Sequence, residues 1–122
     1  MSGVREPLVR HLCVVVLSVF ATACGGGTGA VSPESVHVSL GDAGCSPEAV
    51  AMDAGDISFV VTNPRSSRVT TFELRRDRVS LGRLENVLGG LTRELRVTLE
   101  PGSYEMVCGG GGVGGTGVAL VE

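Results

Sequence analysis

The sequence predicts an all-β fold, a Greek-key antiparallel β-sandwich built from about seven short strands. Apolar and polar residues alternate with a period of two in several runs, which is typical of half-buried strands. Pairs of turn-forming residues, such as Asn63-Pro64 and Pro101-Gly102, separate these runs. A chain of 122 residues accommodates one domain of ordinary size, and it contains no internal repeat.

The strands are predicted in chain order from this alternation. Val36, Val38 and Leu40 alternate with polar residues, and the pattern recurs around Phe59. No segment has convincing helical periodicity, although residues 81–88 could form a helical turn or two. Strands are expected at 35–40, 48–52, 57–62, 69–76, 94–100, 104–108 and 116–121.

The start of the chain has the three regions of a secretory signal. Arg5 and Arg10 precede an apolar run from Leu12 to Phe20, and small residues follow at 21–23. The apolar run is shorter than the roughly 20 residues that a membrane-spanning helix needs. We therefore predict a signal peptide over residues 1–23.

Cleavage after Ala23 would leave Cys24 as the first residue of the mature chain. The segment ATAC, followed by glycine-rich sequence, resembles the lipobox of bacterial lipoproteins, whose cysteine carries lipid. The resemblance implies a lipidation site at Cys24 and anchoring at the extracytoplasmic face of the cell membrane. The site also fits an ordinary signal peptidase, which would secrete the chain without lipid. We predict a tether over residues 24–34 and a folded domain over 35–122.

Two of the four cysteines remain available within the predicted domain. Cys13 leaves with the signal peptide and Cys24 is the predicted lipid site, so Cys45 and Cys108 are the other pair. Disulfides persist in exported proteins, and a cross-link would help a domain with few aromatic side chains. Thiolates are also metal ligands, so the residues alone leave both uses open.

Composition and motifs argue against two classes of function. The net charge is −3, all basic side chains are Arg, and no basic stripe or aromatic platform points to nucleic acid. The sequence contains no nucleophile motif and no HExxH motif, so we predict that the protein is not an enzyme. The glycine run at 109–117 lies between two predicted strands, which favours a mobile hairpin loop over a nucleotide-binding loop.

Three segments resemble the cupredoxin-like domain of the EfeO family of bacterial iron-uptake proteins. The first joins Cys45-Ser46-Pro47 to Met52-Asp53-Ala54-Gly55, the second joins Phe72-Glu73-Leu74 to Glu85-Asn86-Val87, and the third is PGSYEMVCG at 101–109. The resemblance implies a Greek-key sandwich outside the cytoplasmic membrane, with a role in iron uptake and an involvement of iron or copper.

Full-length members of this family carry a larger imelysin-like domain after the cupredoxin-like one. Because the sequence ends at Glu122, we expect that the contribution of that domain comes from another chain or is not needed. The resemblance thus implies an imelysin-like protein or an iron permease as the partner.

The residues do not favour a blue-copper centre, which requires a thiolate and two imidazoles. His37 is the only histidine after the predicted signal peptide, and the glycines after Cys108 include neither His nor Met. No type 1 copper centre is therefore expected. The resemblance implies a different site for an iron or copper ion, with the tentative ligands Cys45, Glu73, Glu85, Met106 and Cys108.

The alternative hypothesis is an interaction module that binds no metal. Cys45 and Cys108 then form a disulfide, and Met106 fills the core. Glu73 and Glu85 become solvated surface carboxylates. Strand alternation places Met106 and Cys108 on one face, which suits both hypotheses. The first hypothesis is a lipid-anchored domain that binds or presents a metal ion for iron uptake, and the second is a disulfide-stapled module that docks on a permease or an imelysin-like partner.

Overall fold

Nine β-strands make up the part of the chain that the computed structural model describes, residues 32–66 and 68–122. The predicted signal peptide, the lipidation site Cys24 and most of the predicted tether lie outside the described residues. None of the described residues belongs to a helix of the length and apolar character that crossing a bilayer requires. The strands are β1 (Glu34–Gly41), β2 (Gly44–Ser46), β3 (Ala49–Met52), β4 (Gly55–Thr62), β5 (Thr71–Arg76), β6 (Val79–Leu84), β7 (Thr92–Leu99), β8 (Gly102–Gly110) and β9 (Val113–Val121).

The strands form two sheets that pack around one core, which confirms the predicted all-β sandwich. One sheet has the order β2-β1-β4-β7 and the other the order β3-β9-β8-β5-β6. Most neighbours are antiparallel, but β1 pairs with β4 and β3 pairs with β9 in parallel. The chain leaves the first sheet after β2, adds β3 to the second sheet and returns to the first as β4, parallel to β1.

Alternation along the strands decides which side chains meet between the sheets. Val36, Val38 and Leu40 of β1 are buried, as the period of two predicts. Phe59 of the first sheet meets Phe72 of the second, with ring centroids 5.5 Å apart and an interplanar angle of 39°. Both rings are fully buried in the shared core.

Residues 81–88 do not form the helical turn that the sequence suggested. β6 covers Val79–Leu84 and pairs with β5, and Asn86 then has a φ of 58°, which no right-handed helix contains. Gly82 packs against Leu95, since a β-carbon built on Gly82 would lie 2.9 Å from Leu95 Cδ1. Pairing with β5 therefore overrides a weak local pattern.

Most of the glycine run belongs to strands, so the loop predicted over residues 109–117 is wrong in its length. β8 continues past Cys108 to Gly110 and β9 begins at Val113, with a two-residue turn between them. Glycine is needed here because β2 packs closely on β9: a β-carbon built on Gly44 would lie 2.9 Å from the Gly115 α-carbon. The run therefore serves packing as well as the turn.

The two ends of the sandwich differ in character. β1 runs from Glu34 at one end to Gly41 at the other, and its parallel neighbour β4 runs the same way. We name the end with Glu34 the start end. The opposite end, which we name the loop end, carries the connections from β4 to β5 and from β6 to β7, together with the β8–β9 turn.

Candidate functional site

Cys45 and Cys108 form a disulfide near the loop end of the core. Cys45 lies on β2 and Cys108 on β8, so the bond joins the two sheets. The Sγ atoms are 1.97 Å apart and the α-carbons 5.3 Å apart. Both side chains are buried. The sequence left this pair open to a disulfide or to metal binding as thiolates, and the structure contains the disulfide.

Met106 lies on the same face of β8 as Cys108. Tyr104, Met106 and Cys108 are all buried, which confirms the face predicted from strand alternation. Gly117 lies opposite Met106 on β9, and a β-carbon built there would be 3.0 Å from Met106 Cε. The thioether therefore fills core space that a glycine leaves open.

Glu73 lies on the other side of the same sheet. In the pairing of β5 with β8, Phe72 is opposite Cys108, whereas Glu73 is opposite Val107. Because successive side chains of a strand point to opposite faces, Glu73 is on the outer face and Cys108 on the inner one. The tentative five-residue metal site is thus divided by the backbone of a sheet.

Arginines accompany both glutamates of the tentative site. Arg75 Nε lies 3.1 Å from Glu73 Oε1, and Arg83 Nη1 lies 3.9 Å from Glu73 Oε2. A hydrogen bond from the Ser80 side chain, then Arg75 and Arg83, hold the pKa of Glu73 below its ordinary value despite partial desolvation. Glu85 pairs with Arg83 at 3.2 Å and leaves 63% of its side chain exposed. Neither carboxylate is free of a competing cation.

The described residues do not fit a type 1 copper centre. Cys108 Sγ is bonded to Cys45, so it offers no thiolate. His37 is the only histidine in the described ranges, and it is exposed on β1 of the opposite sheet. Over residues 32–66 and 68–122, no group of three His, Cys, Asp or Glu side chains is placed to hold a metal ion.

A buried asparagine, which the sequence pattern does not single out, organises the loop end. Asn63 Nδ2 donates to the carbonyl oxygens of Ser66, Val69 and Val87 at 2.9, 3.2 and 2.8 Å. Its Oδ1 accepts from the Ser66 N–H at 2.8 Å, and its backbone bonds to residues 90–91. The one signal in the sequence is an asparagine directly after a buried strand, and Asn63-Pro64 fits an ordinary turn equally well.

The two mixed sheets and the buried sulfur atoms near their loop end define a cupredoxin-like sandwich. The chain matches the family model for the cupredoxin-like domain over residues 12–118 and belongs to that family. It is similar to the iron uptake system component EfeO of Yersinia pestis, with 30% identity over 99 residues, and to that of Escherichia coli K12, with 28% over 74 residues. These matches cover 81% and 61% of this chain. They cover 25% and 20% of the relatives, so the chain spans about a quarter of their length or less.

Solved structures of copper proteins share the fold. Reduced auracyanin from Roseiflexus castenholzii has a TM-score of 0.61 and 11% identity, over 75% of this chain and 99% of its own. Auracyanin A from Chloroflexus aurantiacus has a TM-score of 0.63 and 12% identity, over 75% and 100%. Rusticyanin from Thiobacillus ferrooxidans has a TM-score of 0.53 and 13% identity, over 75% and 79%. At these identities the likeness concerns the fold alone.

Proposed function

We propose that this protein is an extracytoplasmic accessory of an iron-uptake system, and that it acts by docking on another component of that system. The observation that carries the proposal is the 99-residue similarity to an iron uptake system component. In this proposal the chain is not an enzyme, and lipid on Cys24 holds it at the outer face of the membrane. A buried disulfide suits an oxidising compartment outside the cytoplasm.

Docking is preferred to metal binding because of the state of the candidate ligands. Cys45 and Cys108 are bonded to each other, and the carboxylates of Glu73 and Glu85 lie on the outer face with arginines beside them. A cation that used all five tentative ligands would have to bridge the inner and outer faces of one sheet. Of the two hypotheses from the sequence, these contacts favour the interaction module.

A second candidate function keeps the sulfur half of the tentative site. Met106 lies on the same inner face as Cys108, so reduction of the disulfide would gather two thiolates and one thioether. Soft sulfur ligands favour Cu(I), whereas iron ions prefer carboxylates. This function requires a reductant, because the disulfide must first accept two electrons and two protons to give two thiols, which release those protons when they bind the ion as thiolates.

Iron accumulation in the producing bacterium tests the proposed role. A strain without this gene should take up less radioactive iron under iron limitation, and the full chain supplied in trans should restore uptake. Unchanged uptake in the deletion strain would remove the proposed role in iron transport. A Met106→Leu variant separates the two candidates, because it should restore uptake if docking is the function and fail if a sulfur site carries metal.

A further inference from the structure

The connection between β6 and β7 presents two leucines to solvent. The Leu91 N–H donates to the Leu88 carbonyl oxygen at 2.9 Å, which closes a tight turn, and Gly90 takes a φ of 91° within it. Leu88 is 53% exposed and Leu91 is 45% exposed. Two large apolar side chains on one surface turn leave apolar area in water that an interface could bury.

The buried Asn63 fixes this turn in place. The Gly90 N–H donates to the Asn63 carbonyl oxygen at 2.6 Å, and the Asn63 N–H donates to the Leu91 carbonyl oxygen at 2.9 Å. The Asn63 side chain also donates to the Val87 carbonyl oxygen just before the turn. The leucines are therefore held on a preformed backbone, which reduces the ordering entropy that binding must overcome.

Two arginines belong to segments that adjoin the leucine turn. A β-carbon built on Gly89 would lie 3.6 Å from the Arg65 α-carbon, so the Arg65 segment adjoins the turn. Arg93 donates to the Glu85 carbonyl oxygen at 2.6 Å. Arg65 and Arg93 form no ion pair with any described residue, whereas Glu85 already pairs with Arg83. Asp42 also lies beside the Arg65 segment, where it accepts a hydrogen bond from the Ser66 hydroxyl, so two arginines without an ion pair outnumber one such carboxylate.

The leucine turn and the start of the domain lie at opposite ends of the sandwich. The chain enters the domain at Glu34, at the start end, whereas Leu88 and Leu91 lie at the loop end. β1 has eight residues, which span about 26 Å at 3.3 Å per residue. The leucine turn therefore lies about one strand length from Glu34.

We propose that Leu88, Leu91, Arg65 and Arg93 form a docking surface for an acidic protein surface that has an apolar pocket. This inference rests on the proposed function and names its contact site. The partner belongs to the remaining part of an EfeO-like iron-uptake component, since the relatives carry the matched segment on chains about four times as long as the match. The leucines fill the pocket, and the arginines pair with carboxylates at its rim.

The test uses the full exported chain and one defined probe. The probe is the part of Yersinia pestis EfeO outside the 99 matched residues, and the dissociation constant is measured by calorimetry. Leu88→Thr with Leu91→Thr should weaken binding by about tenfold or more. Arg65→Glu should weaken it by about three- to tenfold, with a shallower salt dependence than the wild type.

A matched pair of exposed apolar residues supplies the control. Val118 and Leu120 on β9 are 48% and 46% exposed, close to the values for the leucines of the turn. Val118→Thr with Leu120→Thr should leave the dissociation constant within about twofold. Thermal melts of all variants check that they fold.

Each other outcome overturns a defined part of the inference. If the Leu88/Leu91 and Val118/Leu120 double variants lose affinity for the probe equally, the leucine turn is not the docking surface. The same conclusion follows if neither double variant loses affinity. Absence of wild-type binding to the probe would remove the named occupant, and vesicles of anionic phospholipid that bind through the same turn would replace it with a membrane. Iron accumulation in the deletion strain is a separate readout, so the proposed function survives or fails independently of these results.

Discussion

The Arg76 guanidinium lies over the Tyr104 ring, with its Cζ 5.0 Å from the ring centroid and its Nη1 3.0 Å from the phenolic oxygen. The Tyr104 hydroxyl in turn donates to the Glu100 carbonyl oxygen at 2.7 Å. Tyr104→Phe keeps the stacked cation and removes both hydrogen bonds, so it should lower the free energy of unfolding by about 1–2 kcal/mol. Urea denaturation measures this change, and a variant as stable as the wild type would contradict the assigned role.

The disulfide should account for a large share of the stability. Its cysteines are separated by 63 positions, and the chain-entropy model assigns such a loop about 4 kcal/mol. Cys45→Ser with Cys108→Ser should therefore shift the urea midpoint strongly downward.

Mass spectrometry gives an independent check of the same bond. In protein exported without reductant, a thiol alkylator should leave Cys45 and Cys108 unmodified. Alkylation of both would mean that the thiols are free, and the metal hypothesis would then regain its sulfur ligands.

Glu73 should make the stability depend on pH in the acidic range. Its folded-state pKa lies below the ordinary value of 4.5, so its contribution is present above the unfolded-state pKa and is lost as the pH falls through the folded-state pKa. Glu73→Gln should therefore cost stability near pH 7 and little at the acidic limit. The matched control is Glu100→Gln, because no cation lies within 4.0 Å of Glu100 in the described residues. A Glu73→Gln deficit that is constant with pH would rule out this linkage.

Removal of the outer-face carboxylates should not change metal binding. Glu73→Ala with Glu85→Ala should give the same iron and copper titrations as the wild type, because the sheet separates these side chains from Met106 and Cys108. Circular dichroism confirms that the variant is folded. If the folded variant loses metal affinity, the prediction is wrong and the five-residue site that the family resemblance implies is supported.

Membrane attachment depends on Cys24 in the proposed function. Cys24→Ser removes the atom that would carry lipid, so the variant should move from the membrane fraction to the soluble extracytoplasmic fraction. Retention of the variant in the membrane fraction would mean that something other than acyl chains holds the protein there.

Period-two alternation predicted the β-sandwich and its inner face because each strand has one buried side. Val38, Phe59 and Met106 all lie where the alternation places them. The pattern could not predict the parallel pairs of β1 with β4 and β3 with β9, because alternation is the same for either direction of a neighbour. It also missed β2, whose three residues are too few to establish a period.

The tentative site was harder to predict because its residues come from different strands. Spacing along one strand correctly placed Met106 and Cys108 together. Whether Glu73 could join them depends on the register of β5 against β8, and the sequence does not specify that register. The role of Asn63 could not be predicted for a similar reason. Its partners Val69 and Val87 belong to the β4–β5 and β6–β7 connections, which are neighbours only in the folded domain.

β9 is the last strand in chain order, yet it lies inside its sheet, between β3 and β8. Until the ribosome has added Val121, both neighbours present open edges that invite pairing with other chains. The fold cannot be completed strand by strand during synthesis. A chain that stopped before Val113 would therefore leave the second sheet in two separate parts, β3 on one side and β8-β5-β6 on the other.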